Sequence, residues 1–255
     1  MFAKVVACEI AFREICCCAA RSVNLFDLHF LSQGFHDNPE AGLERLQAVV
    51  DDTAAGLFDA ILLGYGLCNN MLSGLRARHA PLVVPRAHDC ITFFLGSKER
   101  YQETFAAYPG TYYYTTGWLE HRARGGERPE RPQGAALGEQ RTYQEMVERY
   151  GEENARYLAD FMGAWVQHYS RGAYIEFEFS AHLPHREQAR ALCREHGWEY
   201  AQLAGDLALL QDWLDGRWTE DRFLVVNPGE QVRPTYDARV IEAVPAAVPV
   251  RAGQR

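Results

Sequence analysis

No apolar run in the 255-residue sequence approaches the roughly 18 residues that a membrane-spanning helix requires. The opening Met1-Phe2-Ala3-Lys4-Val5-Val6-Ala7-Cys8-Glu9 is too short for a secretory signal core, and no cleavage pattern follows it. A basic balance is also lacking: 26 Lys and Arg against 34 Asp and Glu leave a formal net charge of −8. That argues against general nucleic-acid binding, which rests on neutralising phosphates, and against docking on an anionic membrane. Neither a Gly-x-Gly-x-x-Gly fingerprint nor a P-loop is present, so nothing favours nucleotide binding. The seven cysteines contain no close Cys-x-x-Cys pair, and three stand adjacent as Cys16-Cys17-Cys18. This is unlike a secreted disulfide framework. It predicts reduced thiols in the cytoplasm, where loop cysteines more often bind metals or catalyse than staple a fold.

What is present is an ordinary globular composition, 47% hydrophobic and 24% charged, enough to bury a sizeable core. Short apolar runs alternate with helical patterns. Strands are predicted at Ala3 to Cys8, Leu25 to Leu31, Phe58 to Leu63, Pro81 to Pro85 and Gly110 to Thr116, with helices from Ile10 to Arg21 and from about Pro39 to Val50. His121 to Gly138 is rich in Arg, Gly, Glu and Pro without apolar periodicity and reads as an exposed linker. Glu139 to Ser170 reads as helix, and two further α/β units run from Ala173 to Val226. The alternation predicts an α/β, Rossmann-like fold: a mostly parallel sheet covered by helices. It is read as one domain over residues 1–232, with lobes at about 1–120 and 139–232 and a tail at 233–255. One continuous sheet and two packed, pseudo-repeated lobes both fit the pattern.

In parallel α/β sheets ligands bind beyond the carboxyl ends of the strands. The first predicted strand ends at Cys8-Glu9, the third at Gly64-Tyr65-Gly66-Leu67-Cys68-Asn69, and the fourth at Arg86-Ala87-His88-Asp89-Cys90; Gly34-Phe35-His36-Asp37 follows the second. Three strand ends thus each supply a cysteine. Thiolates are soft ligands for zinc or iron–sulfur clusters, and zinc with three protein ligands keeps a position open for chemistry. Cys8, Cys68 and Cys90, with His88, are therefore the candidate metal ligands; buried packing is the competing reading of any one cysteine. Glu9, Arg86 and Asp89 are the candidate catalytic charges: Glu9 for proton transfer, Arg86 for gripping a carboxylate or phosphate, or for a plain ion pair. Gly64, Gly66, Tyr65 and Asn69 would let a ligand approach the backbone, and Tyr112-Tyr113-Tyr114 could wall a pocket or simply pack. Cys16 to Cys18 point in different directions around one helix and are expected to pack, as is Cys193.

The segments Tyr65-Gly66-Leu67-Cys68-Asn69, Pro85-Arg86-Ala87-His88-Asp89-Cys90, Leu95-Gly96-Ser97 and Pro109-Gly110-Thr111-Tyr112, with Cys8-Glu9, Phe223-Leu224-Val225-Val226 and Pro228-Gly229-Glu230, resemble the bacterial and archaeal family called domain of unknown function 1638. The resemblance spans roughly residues 3 to 232. It implies no defined activity; association of such proteins with corrinoid-dependent methyl transfer implies a one-carbon context and a corrinoid protein as partner. A zinc-dependent methyltransferase or accessory protein is the enzyme class this suggests, although the lone Cys68 precedes the His88-x-Cys90 pair rather than following it. The alternatives are a metal-free module that binds a corrinoid or small molecule, an iron–sulfur protein, and a two-cysteine racemase. The racemase would need a cysteine after a strand of the second half, and none is present there.

Overall fold

The computed structural model describes residues 1–35, 38–123, 152 and 169–246. The expected linker from residue 124 on, the helix expected over 139–170 and the loop residues His36 and Asp37 lie almost wholly outside them. Among the described residues no helix is long and apolar enough to cross a membrane.

Five strands form the larger sheet: β1 (Phe2–Cys8), β2 (Leu25–Leu31), β3 (Ala60–Gly64), β4 (Leu82–Pro85) and β8 (Phe223–Val226) in the order β2-β1-β3-β4-β8. The first four are parallel and β8 is antiparallel to β4. The continuous apolar runs of β3 and β4 are buried at every position because helices or loops cover both faces. Side chains alternate between these faces. Ala3, Val5, Ala7, Leu62 and Val83 point into one core with α1 (Phe12–Ala19), α3 (Ile91–Leu95) and α7 (Ala208–Asp215). Val6, Ile61, Leu63, Leu82 and Val84 point into the other, against α2 (Pro39–Asp51) and a hairpin of β9 (Glu230–Pro234) and β10 (Ile241–Pro245). Asn38 caps α2 by accepting from the Ala41 amide, with Pro39 in its first turn.

A second, three-stranded parallel sheet has the order β5-β6-β7, from β5 (Thr111–Tyr114), β6 (Arg171–Glu176) and β7 (Glu199–Ala204). It carries α5 (Thr116–Ala123) and α6 (His185–His196) and joins the first core through Ile175 and Phe177. The mostly parallel α/β architecture is as the sequence predicts, but its partition is not. β5, from the first half, pairs with strands of the second; β8, from the second half, closes the first sheet. Residues 121–123, expected as the start of a loop, complete α5, and part of the expected tail forms β10.

Candidate functional site

Where β1, β3 and β4 end, the chain turns toward β5, and between them lies a cavity of about 590 Å³. Two backbone bonds beyond the strands shape its floor. The Leu67 amide donates to the Ala87 carbonyl at 2.8 Å and the Cys68 amide to the His88 carbonyl at 2.9 Å. These prolong the β3–β4 pairing and carry Cys68 alongside the segment that holds Cys90. Only glycine fits at position 66, where a Cβ would stand 2.8–2.9 Å from Asp89 backbone atoms. Cys68, Asn69 and Asn70 then run through the left-handed region with φ of 44°, 55° and 63°, a conformation that disfavours side chains and turns the loop sharply.

Cys8, Cys68 and Cys90 all line this cavity, as do Gly64, Tyr65, Gly66, Asn69, His88 and Asp89. The three cysteines expected at the strand ends therefore line one cavity. Burial pushes the Cys8 thiol up to about 12, reinforced by Glu9 and opposed by the Ile10 amide. Burial likewise pushes Cys68 up to about 12, with Cys8 and Asp89 adding to it. Cys90 is raised well above the ordinary thiol range by burial and then by Asp89, Cys68 and Cys8. Burial dominates at all three, Cys8 adds to the shift at Cys68, and Cys8 and Cys68 add to it at Cys90, so all three are neutral near pH 7. Among the described residues no group of three or more His, Cys, Asp or Glu side chains is arranged so that it could hold a metal ion. The donor chemistry suits a soft metal; the arrangement is not a preformed cage.

Asp89 is fixed from two sides: its Oδ1 accepts from the Ile91 amide at 2.9 Å and its Oδ2 from the Tyr101 hydroxyl at 2.8 Å. Burial raises its carboxyl above the usual range, while these two donors pull the other way. Three cavity residues carry buried polar atoms with no partner among the described residues: Gln33 Oε1, Tyr65 OH and Tyr113 OH. An unpaired buried polar atom costs about 1–3 kcal/mol.

Two expected catalytic residues stand elsewhere. Arg86 does not line the cavity and is only 7% exposed. Its guanidinium donates to the backbone carbonyls of Glu220 at 2.7 Å, of Arg239 at 2.8 Å and of Ile241, clamping the β9–β10 hairpin to β4. A side chain committed to three carbonyls grips no substrate, so its role is a correction to the sequence reading. Glu9 sits behind the cavity wall: its Oε1 accepts from the Gln33 amide at 2.9 Å and lies 3.0 Å from His121 Nδ1. Its partner His121 was hidden in the apparent linker. Position 117 must be glycine for α5 to reach this place, since a Cβ there would fall 1.8 Å from the Ile10 carbonyl oxygen.

The larger omission is the wall opposite the thiols. Tyr101 and Phe105 come from α4 (Lys98–Ala107), Tyr112 and Tyr113 from β5, Trp118 from α5, and Tyr169 precedes β6. Their rings meet edge to face: Tyr101 and Tyr113 at 5.9 Å and 82°, Tyr112 and Trp118 at 5.6 Å and 77°, Tyr112 and Tyr169 at 5.4 Å and 88°. Tyr112 and Tyr113 were legible as pocket candidates; Tyr114 is 1% exposed and packs in the core of the second sheet. Cys18 and Cys193 are buried packing residues, as expected.

Fold and site together define a parallel α/β protein with a thiol-faced and aromatic-walled cavity at the carboxyl edge of its main sheet. Residues 30–214 match the family model described as a protein of unknown function, DUF1638, and the chain belongs to that family. No curated protein and no solved structure matches the chain.

Proposed function

We propose that this chain is a small-molecule-binding protein whose ligand occupies the cavity between the three thiols and the aromatic wall. The observation that carries the reading is a single cavity at the carboxyl edge of the parallel strands that Cys8, Cys68, Cys90 and the aromatic wall line together. The cavity volume of about 590 Å³ falls within the roughly 300–1,000 Å³ of small-molecule sites. Its place beyond the ends of parallel strands is where α/β sheets bind their ligands. In this reading Cys8, Cys68 and Cys90 are protonated, polarisable wall groups.

The test is a ligand-observed NMR screen of metabolite-like fragments against the wild type and Ile91→Trp, which puts an indole at a cavity-lining position on a partly exposed first turn. Fragments that compete with one another and lose binding in the variant support the reading. Binding that the variant leaves unchanged refutes it.

A second reading is favoured by three thiols lining one cavity: a zinc-thiolate centre formed by Cys8, Cys68 and Cys90, which would need local rearrangement to close round the metal, with methyl transfer as its chemistry. Bound zinc would displace the thiol protons and supply a Lewis-acidic centre with an open position. Metal content of protein purified without oxygen or chelator, beside Cys68→Ser and Cys90→Ser, separates the two. One zinc per chain, lost in both variants, would favour the metal; metal-free folded protein that also fails to take up added zinc would remove it.

A further inference from the structure

The strand β2 stands at one end of the main sheet, with β1 as its neighbour. Its Leu25 amide donates to the Met1 carbonyl at 3.0 Å, and all 7 of its residues run in parallel register with β1. Successive residues of a strand turn their N–H and C=O groups to opposite edges. Leu25, Asp27, His29 and Leu31 therefore bond toward β1, and Phe26, Leu28 and Phe30 turn their backbone groups outward. Apolar side chains crowd this edge. Leu25 is 71% exposed and Val23, just before the strand, 93%; Phe12, whose ring lies 5.0 Å from that of Phe30, is 50% exposed. A long apolar edge strand is a template for another strand.

The strand's own sequence names the partner. Leu25-Phe26-Asp27-Leu28-His29-Phe30-Leu31 reads alike in both directions about Leu28, save that Asp27 is matched by His29. We propose that two copies of this chain join edge to edge through β2, antiparallel and centred on Leu28, into one continuous sheet. In that register Leu28 faces Leu28 of the second copy, and Phe26 faces its Phe30. These are the outward-turned residues, so each facing pair exchanges two backbone hydrogen bonds. Phe12, resting on Phe30, extends the aromatic contact over Phe26 of the second copy. Asp27 faces His29 of the second copy in the intervening pair, where side chains stand closest. Moving the centre by one residue sets Asp27 against Asp27, which repel, or His29 against His29 with Asp27 against the apolar Leu31. Charge complementarity thus selects the register centred on Leu28. The proposal is independent of the cavity reading, and it leaves the two cavities at opposite ends of the joined sheet.

The experiment is sedimentation velocity of the full chain at about 50 µM, with hydrogen exchange on the same samples. Wild type is expected at twice the chain mass. Leu25→Glu puts a charge at an exposed position that faces Leu31 of the second copy; it is expected to weaken the dimer at least about tenfold with an unchanged far-ultraviolet spectrum. The Phe26, Leu28 and Phe30 amides are expected to exchange at least about tenfold more slowly in wild type than in Leu25→Glu, and the inward Asp27 and His29 amides to differ less. Under mild oxidation Leu28→Cys is expected to cross-link to itself, because a hydrogen-bonded antiparallel pair sets its Cα atoms about 5.5 Å apart, within disulfide reach. Asp27→Cys, off the two-fold axis, is not; peptide mass spectrometry tells these bridges from those of native cysteines. A wild type that sediments as a monomer overturns the proposal. So does a dimer in which the outward amides of β2 exchange alike in wild type and Leu25→Glu. Cross-linking through Asp27→Cys in place of Leu28→Cys overturns the register.

Discussion

The thiols give the sharpest expectation. Burial pushes the Cys8 and Cys68 thiols up to about 12, with Glu9 adding to the shift at Cys8 and Cys8 and Asp89 adding to it at Cys68. At pH 8 a thiol of ordinary pKa, about 8.5, is roughly one-quarter thiolate, whereas one titrating near 12 is about one part in 10⁴. The deficit in thiolate is therefore about 10³-fold. A more basic thiolate is intrinsically more nucleophilic, with a Brønsted slope of about 0.4–0.5, which returns about 1.5 logarithmic units over this interval. The net expectation is that methyl methanethiosulfonate modifies Cys68 in the folded chain roughly 50-fold more slowly than in the unfolded chain at pH 8. The pH dependence separates this from simple occlusion. The logarithm of the folded-state rate should rise with unit slope up to about pH 10, while the unfolded reference levels off above about pH 8.5. Peptide mass spectrometry of quenched time points resolves the three sites. A plateau below about pH 9 for Cys68 or Cys90, or equal rates in the two states at pH 8, would refute the claim that these thiols are held protonated.

Further expectations concern parts of the molecule outside the cavity. Glu14 is fully buried, neither carboxylate oxygen has a partner among the described residues, and burial raises it to about 8. Its folded pKa lies above its unfolded one, so its contribution to stability is complete below about pH 4.5 and is lost as the pH rises through 8; wild type should lose up to about 3 kcal/mol between pH 4.5 and 7 that Glu14→Gln retains, read from urea melts at both pH values. Arg86→Met strips the donors from three buried-side carbonyls and should destabilise by about 2–4 kcal/mol. Fragment affinity of the folded Arg86→Met variant should stay unchanged, and a lost affinity would restore Arg86 to the site. Gly117→Ala drives a methyl into the Ile10 carbonyl and should cost at least about 3 kcal/mol, or roughly 6–12 °C in melting temperature; a shift under 2 °C would contradict the packing of α5 on the end of β1.

Much of the fold was legible because local pattern and global packing agree. β2 and β8 fall on their predicted residues, and the all-buried β3 announces itself as an unbroken apolar run. That the three cysteines line one cavity was legible too, since β1, β3 and β4 are adjacent and parallel, so their ends share one edge. What escaped is non-local. Nothing in Thr111–Tyr114 says that its partner is Arg171–Glu176 rather than a strand of its own half. The wall is assembled from α4, β5, α5 and Tyr169, none of which carries a motif for a cavity. Arg86 looked catalytic because an arginine after a strand commonly binds anions; its actual acceptors are main-chain carbonyls more than 130 residues away, which have no sequence signature. His121 was masked by the Arg/Gly-rich composition that follows it, although its position in α5 sets it against Glu9.

The most direct test of the central claim is a crystal structure of the chain with the tightest-binding fragment from the screen. Ligand density between Cys68 and Cys90 on one side and Tyr101 and Trp118 on the other is the expected result. Well-defined density at another surface, with this cavity holding only water, would contradict the account.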